Sequence, residues 1–265
     1  MQVLTLGPEG TFSHEATKRL FPKKKIAFGN TIDEVFYRLA DKETLAAVVP
    51  LENTLSGFVE ETITNLMKYD FSITGKTSLK ISYHLAGTGN PEEAKILYAH
   101  PHAYKQCRRT LRKLCPAIKV IETSSNAHSA LQLQAHQDPA IFALVSPFSL
   151  THYSLSSVSE HVEDYPDNTT YFYAIGKAPA MKTENDASAF LIFSEPLITL
   201  EKQMATLCQE KKAPLLHLKN LLLQEGHTPL YFVEIKGHME DKNLREIFEA
   251  LREKFLIKHL GSYPL

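Results

Sequence analysis

Four short polar stretches hold the residues of this chain that could do chemistry. They are Gly7-Pro8-Glu9-Gly10-Thr11-Phe12-Ser13, Val49-Pro50-Leu51-Glu52-Asn53-Thr54, His100-Pro101-His102-Ala103 and Asp167-Asn168-Thr169-Thr170-Tyr171-Phe172. Several of them follow an apolar run and precede a helical period, so each places a helix N-terminus beside its polar groups. Free N–H groups and the positive end of a helix dipole favour anions, and several such turns converging make an anion site. Hydroxyls and amides at Thr11, Asn53, Thr54, Asn168 and Thr170 would add neutral donors. Taken singly, Glu52, Asn53 and Asn168 also suit capping or turn formation.

Other chemistries find little support. Gly87-Thr88-Gly89 lacks the third glycine of a dinucleotide fingerprint, and there is no Walker A run or G-x-S-x-G elbow. His14-Glu15 lacks the second histidine of a zincin, and His100-Pro101-His102 has no partner cluster, so no metal is expected. Three scattered cysteines build neither a disulfide framework nor a zinc site. A net charge of -1 argues against a nucleic-acid partner. The first residues do not read as a signal peptide, and no apolar stretch approaches a membrane span. These absences point to a cytoplasmic protein acting on a small molecule without cofactor, metal, nucleic acid or membrane.

The elements that must position these turns read as alternating strands and helices. Val3 to Leu6, Leu45 to Val49, Ile96 to Tyr98, Lys119 to Ile121, Ala140 to Val145 and Tyr171 to Ile175 are strand-like runs. Between them, Tyr104, Cys107, Leu111 and Leu114 recur at helical spacing, and Thr123 to Asn126 is a row of N-cap types. Alternation of this kind predicts a mostly parallel sheet with ligands beyond its carboxyl ends. The extended stretch Ser72 to Leu85 has the character of a connection between two lobes. After a polar linker at 179–187 the order becomes strand, helix, strand, strand, helix, strand, the ferredoxin-like βαββαβ split. Its second strand is expected over Leu215 to Leu223.

Taken together, these motifs resemble prephenate dehydratases that carry a C-terminal ACT regulatory domain. The resemblance rests on G-P-x-G-T-F-S at 7–13, on P-x-E-N-[ST] from Pro50 followed by Gly57 and Val59, and on His100, Pro101, Gln106 and Cys107. It rests too on Asn168, Thr170 and Phe172, and on the closing L-G-S-Y-P at Leu260 to Pro264. It implies an α/β fold: a two-lobed, periplasmic-binding-protein-like catalytic domain over 1–178, with lobes at 1–75 plus 165–178 and at 76–164. A ferredoxin-like ACT domain would follow over 188–265. The implied reaction is the decarboxylating dehydration of prephenate to phenylpyruvate in phenylalanine biosynthesis, with no cofactor. By the same resemblance Thr170, Asn168 and Glu52 are catalytic, and Thr11, Asn53, Thr54, Gly57, His100, His102, Tyr171 and Phe172 bind substrate. A homodimer or homotetramer through the ACT-like domain is implied as well.

The chain departs from the family pattern in places. Tyr171 stands where the family usually has an arginine, which would exchange a bidentate charged grip on a carboxylate for one neutral donor. His102, or a nearby cation, is expected to compensate. Pro196 to Leu200 lacks the family's glycine-containing turn, and Leu218-Lys219-Asn220-Leu221 replaces an E-S-R-P motif, so ordinary phenylalanine feedback is not expected. Arogenate as substrate, or a non-catalytic sensor of aromatic acids, are the competing readings.

Overall fold

The computed structural model describes residues 1–41, 43–136, 138–193, 197–221 and 229–265, with the side chains of 197–199 outside the described residues. The chain opens with β1 (Gln2–Leu6), α1 (Phe12–Leu20), β2 (Ile26–Gly29), α2 (Ile32–Leu39), β3 (Thr44–Asn53), β4 (Gly57–Phe58), α3 (Glu60–Lys68) and β5 (Ser72–Lys80). It crosses to β6 (His84–Ala86), β7 (Ile96–Ala99), α4 (Pro101–Leu114), β8 (Lys119–Glu122), α5 (Asn126–Ala135), β9 (Ile141–Val145), α6 (Pro147–His152) and β10 (Ser157–Ser159). It then returns through β11 (Thr169–Gly176). The last part is β12 (Asp186–Phe193), α7 (Leu197–Glu210), β13 (Leu215–Leu221), β14 (Leu230–Lys236), α8 (Lys242–Arg252) and β15 (Leu256–Pro264).

Three sheets result. The first runs β2-β1-β3-β11-β5 with β4 paired to β3, the second β10-β6-β9-β7-β8, and the third β13-β14-β12-β15. The expectation of mostly parallel sheets needs correction. β1 is parallel to β2 and β3, and β7 to β8 and β9, but β11 is antiparallel to both β3 and β5. The reason is connectivity: β11 arrives from the second sheet and enters the first from the opposite end. The unit β2–α2 was not anticipated from sequence.

Local chemistry sets the helix starts. Thr11, Thr31, Ser125 and Ser146 occupy extended N-cap positions and accept from the N–H three residues on. Pro101 and Pro147 sit in first turns, where a missing N–H costs nothing.

The third sheet has the ferredoxin-like order and is antiparallel throughout. Residues 222–223 of the expected second strand, and Pro196, lie outside the described residues. This sheet packs against the first through Tyr173, Ile175, Ala189, Leu191, Phe232, Leu260 and Tyr263. Gly261 permits the approach: at φ +138, a Cβ there would strike the backbone of Ile73. Glu234 is buried at this junction, bonded by Lys76 Nζ at 2.7 Å, by the Tyr173 hydroxyl at 2.9 Å and by the Tyr263 hydroxyl. Among the described residues, no helix is long and apolar enough to cross a membrane.

Candidate active site

Antiparallel pairing of β3 with β11 sets Asn53 directly opposite Thr170. Asn53 is a hub. Its Nδ2 donates to Asn168 Oδ1 at 2.6 Å, to Thr170 Oγ1 at 2.9 Å and to the Thr169 carbonyl at 3.3 Å. Its Oδ1 accepts from the N–H groups of Leu55 and Ser56, both at 3.0 Å, and from Ser56 Oγ at 3.1 Å. With both ends engaged, the amide cannot rotate without breaking several bonds. Thr170 Oγ1 accepts one of those bonds and donates to no acceptor among the described residues. Its proton therefore remains available to a ligand oxygen.

The same network spans both lobes. Asn168 Nδ2 donates to Gln106 Oε1 at 3.1 Å, and Gln106 Nε2 lies 2.9 Å from His102 Nε2. An amide N–H donates there, so the ring proton of His102 sits on Nδ1. Thr54 joins the two turns of the first lobe: its Oγ1 accepts from Thr169 N–H at 2.9 Å, and its own N–H donates to the Thr169 carbonyl at 2.9 Å.

Beside this network opens a cavity of about 360 Å³ lined by Leu55, Ser56, His102, Lys105, Gln106 and Tyr165. That volume is in the range of small-molecule sites. Leu55 and Tyr165, both half-exposed, give it apolar walls, and Lys105 gives it a cation. Sequence reasoning assigned no role to Lys105, Ser56 or Tyr165, and used Gln106 only as a motif residue of the resemblance. The signal was present in α4, where His102, Lys105 and Gln106 recur at i, i+3 and i+4 and so share one face.

Other expected site residues lie elsewhere. Thr11 spends its hydroxyl on the cap of α1, donating to the Pro8 carbonyl at 3.0 Å and accepting from His14 N–H at 3.3 Å. It makes no hydrogen bond to the Asn53 group among the described residues. Its turn instead ties the lobes together: Ser149 Oγ donates to the Gly10 carbonyl at 2.6 Å and the Tyr153 hydroxyl to that of Glu9 at 2.7 Å. Gly57, at φ +80, turns the chain from β3 into β4 and lines a separate pocket that faces the third sheet. His100 is half-buried at the start of α4; burial and the neighbouring His102 hold its imidazole below the ordinary range against a weaker pull from Glu122.

Glu52, Tyr171 and Phe172 do not line that cavity. Phe172 is buried in the core with Val48, Leu79 and Ala174. Tyr171 alternates to the strand face opposite Thr170, where Lys76 Nζ lies 5.0 Å from its ring centre. The Glu52 carboxylate also faces the third sheet, where it pairs with Lys219 and lies 3.3 Å from His217 Nε2. Burial holds His217 below the ordinary imidazole range despite Glu52. Tyr171 in the arginine position thus takes nothing from the Thr170 side of the strand, and Glu52 belongs to the interface between the sheets.

The family model described as prephenate dehydratase matches residues 3–180. The chain belongs to the prephenate dehydratase family. Among curated relatives, a bifunctional chorismate mutase/prephenate dehydratase of Pseudomonas aeruginosa is 28% identical over 269 residues, covering 100% of this chain and 73% of that protein. A prephenate dehydratase of Methanocaldococcus jannaschii is 29% identical, with 97% of this chain and 96% of that protein covered. The crystal structure of a prephenate dehydratase from Arthrobacter aurescens in complex with L-Phe superposes with a TM-score of 0.83 at 21% identity, covering 100% of this chain and 90% of that one. That likeness establishes the fold. Within the family frame, the match ends just past β11, so Thr170 and Asn53 both lie inside it.

Proposed function

We propose that this chain is a prephenate dehydratase, converting prephenate to phenylpyruvate, carbon dioxide and water. The observation that carries the proposal is the Thr170 hydroxyl, oriented by Asn53 with its own proton uncommitted, beside a cavity that reaches both lobes. In the reaction the ring carboxylate leaves as carbon dioxide. The electron pair of the broken C–C bond enters the ring, and hydroxide departs from the opposite carbon. Aromatisation supplies the driving force, so the protein's work is to bind a dianion and ease the departure of hydroxide. Thr170 Oγ–H donates a hydrogen bond to that departing oxygen as negative charge develops on it, and solvent supplies the proton that turns the hydroxide into water. A single preorganised donor of this kind contributes about 10²–10³ in rate.

Lys105 faces the cavity as a partner for one carboxylate. The apolar surfaces of Leu55 and Tyr165 suit the ring. Gln106 couples helix α4 to Asn168, so the network that holds the Thr170 hydroxyl also reaches the helix that carries the Lys105 cation. The C-terminal sheet is read as an ACT-like domain that joins copies of the chain, with Lys219 and Asn220 on its second strand supporting altered or absent phenylalanine feedback.

Purified protein given prephenate should release phenylpyruvate. Thr170→Ala should lower kcat by about 10²–10³ with the fold intact, and Thr170→Ser should restore part of it. No phenylpyruvate from the unmodified protein at any pH would refute the reading.

A further inference from the structure

We propose that the crossover between the two lobes carries a Zn²⁺ site formed by His84, Glu160 and His161. One ligand atom from each lies within 4.8 Å of the others. The three come from the two chain segments that connect the lobes. His84 opens β6 just after the outward crossing, and Glu160 and His161 follow β10 at the start of the return. Pairing of Leu85 with Ser159 holds the segments side by side. Farther along, Val162 N–H donates to the Tyr83 carbonyl at 2.9 Å and Ile81 N–H to that of Asn168 at 2.8 Å.

The donor set is two imidazoles and one carboxylate. Three protein ligands of this kind, completed by water, suit a tetrahedral zinc ion. Hydroxyl and carboxylate oxygens stand beside both rings. His161 Nδ1 lies 3.0 Å from Ser82 Oγ and 3.4 Å from the Glu163 carboxylate, and His84 Nδ1 lies 3.4 Å from Ser157 Oγ. A histidine ligand commonly donates its second ring N–H to such an oxygen, which orients the ring and strengthens the other nitrogen as a donor. The ring nitrogen not held by a hydroxyl is then the ligand. Glu163 is fixed in turn by the N–H of Tyr83 at 2.8 Å. His161 sits at φ +53, a left-handed position that histidine adopts more readily than most non-glycine residues, and its ring lies 5.5 Å from that of His84 between ring centres. Bringing the ligand atoms to about 2.0–2.2 Å from one ion requires the groups to draw together slightly. His161 and Glu160 are exposed and can do so.

An ion held there would clip the outward and return crossings to each other at the base of the cleft. The test uses the untagged full chain, stripped with a chelator and titrated with Zn²⁺ in a calorimeter. One ion per chain should bind at micromolar or lower concentration, and the thermal midpoint should rise with added Zn²⁺. His161→Asn keeps a residue tolerant of the left-handed backbone, and Glu160→Gln keeps shape; both side chains are exposed, so both variants should fold. Each should weaken Zn²⁺ binding by at least about tenfold and remove the shift in midpoint. Replacing Zn²⁺ with Co²⁺ should give the visible absorption of a tetrahedral site in the unmodified chain alone. No saturable binding, or equal binding by the unmodified chain and both variants, would overturn the proposal.

Discussion

Glu52 and Asn53 are adjacent in the chain and face opposite ways. The Glu52 carboxylate meets Lys219 of the third sheet, and the Asn53 amide holds Thr170 in the candidate active site. Side chains alternate along a strand, so one short segment of β3 serves the interface between sheets with one residue and the chemistry with the next.

Glu52→Gln should therefore leave kcat within about tenfold of the unmodified value, well short of the loss expected at a group that touches the leaving oxygen. Its cost should appear in stability. Lys219→Ala removes one partner of a buried carboxylate and should destabilise by about 1–2 kcal/mol, below the ~3–5 kcal/mol of a fully enclosed pair because Lys219 is half-exposed. Denaturant midpoints with steady-state kinetics on both variants check this. A fall in kcat for Glu52→Gln as deep as that for Thr170→Ala would place Glu52 in the chemistry after all.

Lys105 is the cation of the cavity. Lys105→Met should raise KM by roughly tenfold, the equivalent of about 1.4 kcal/mol for a lost charge-assisted contact in an open cleft, with a smaller change in kcat. Gln106→Leu should act differently, because it cuts the bond that couples α4 to Asn168. There kcat and KM should both suffer. An unchanged KM in Lys105→Met would show that the substrate carboxylates are held elsewhere.

Gly261 combines φ +138 with a Cβ position already filled by the backbone of Ile73. Gly261→Ala should cost roughly 2–4 kcal/mol through backbone strain and overpacking between the first and third sheets. Thermal unfolding measures it; a midpoint unchanged from the parent would mean the two sheets separate without penalty.

Acid should begin to destabilise the protein near pH 6.5, above the range in which carboxylates protonate. Burial pulls His259 down from 6.5 to about 4, outweighing a raising contribution from the Gly261 backbone, and burial also lowers His14, His84, His100 and His217. For a histidine with a depressed folded pKa, the unfolded chain binds more protons as the pH drops below 6.5, while the folded chain stays neutral. Stability is then fully present above about 6.5 and is lost as the pH falls towards 4. Urea midpoints at stepped pH should show this slope, and His259→Asn should flatten it; an equal slope in the variant would assign the effect to the other histidines.

Much of this architecture was legible in the residues alone. Order and type of the C-terminal elements followed from hydrophobic period and turn chemistry, because both are set within a few residues. The N-caps at Ser125 and the proline opening α4 were local for the same reason. The family motifs located Asn53, Asn168 and Thr170 as a group, and the structure brings those three within hydrogen-bonding reach of one another. What sequence could not supply was direction. Whether Glu52 or Asn53 faces the cleft, and whether Tyr171 or Thr170 does, depends on which faces of the first sheet the neighbouring layers cover. Shifting attention by one residue along a strand reverses the answer. The antiparallel insertion of β11, the seat of Glu52 against Lys219 and the cavity role of Lys105 and Gln106 were decided by contacts between segments far apart in the chain. Such contacts exist only once the sheets have packed, and no short window of sequence contains them.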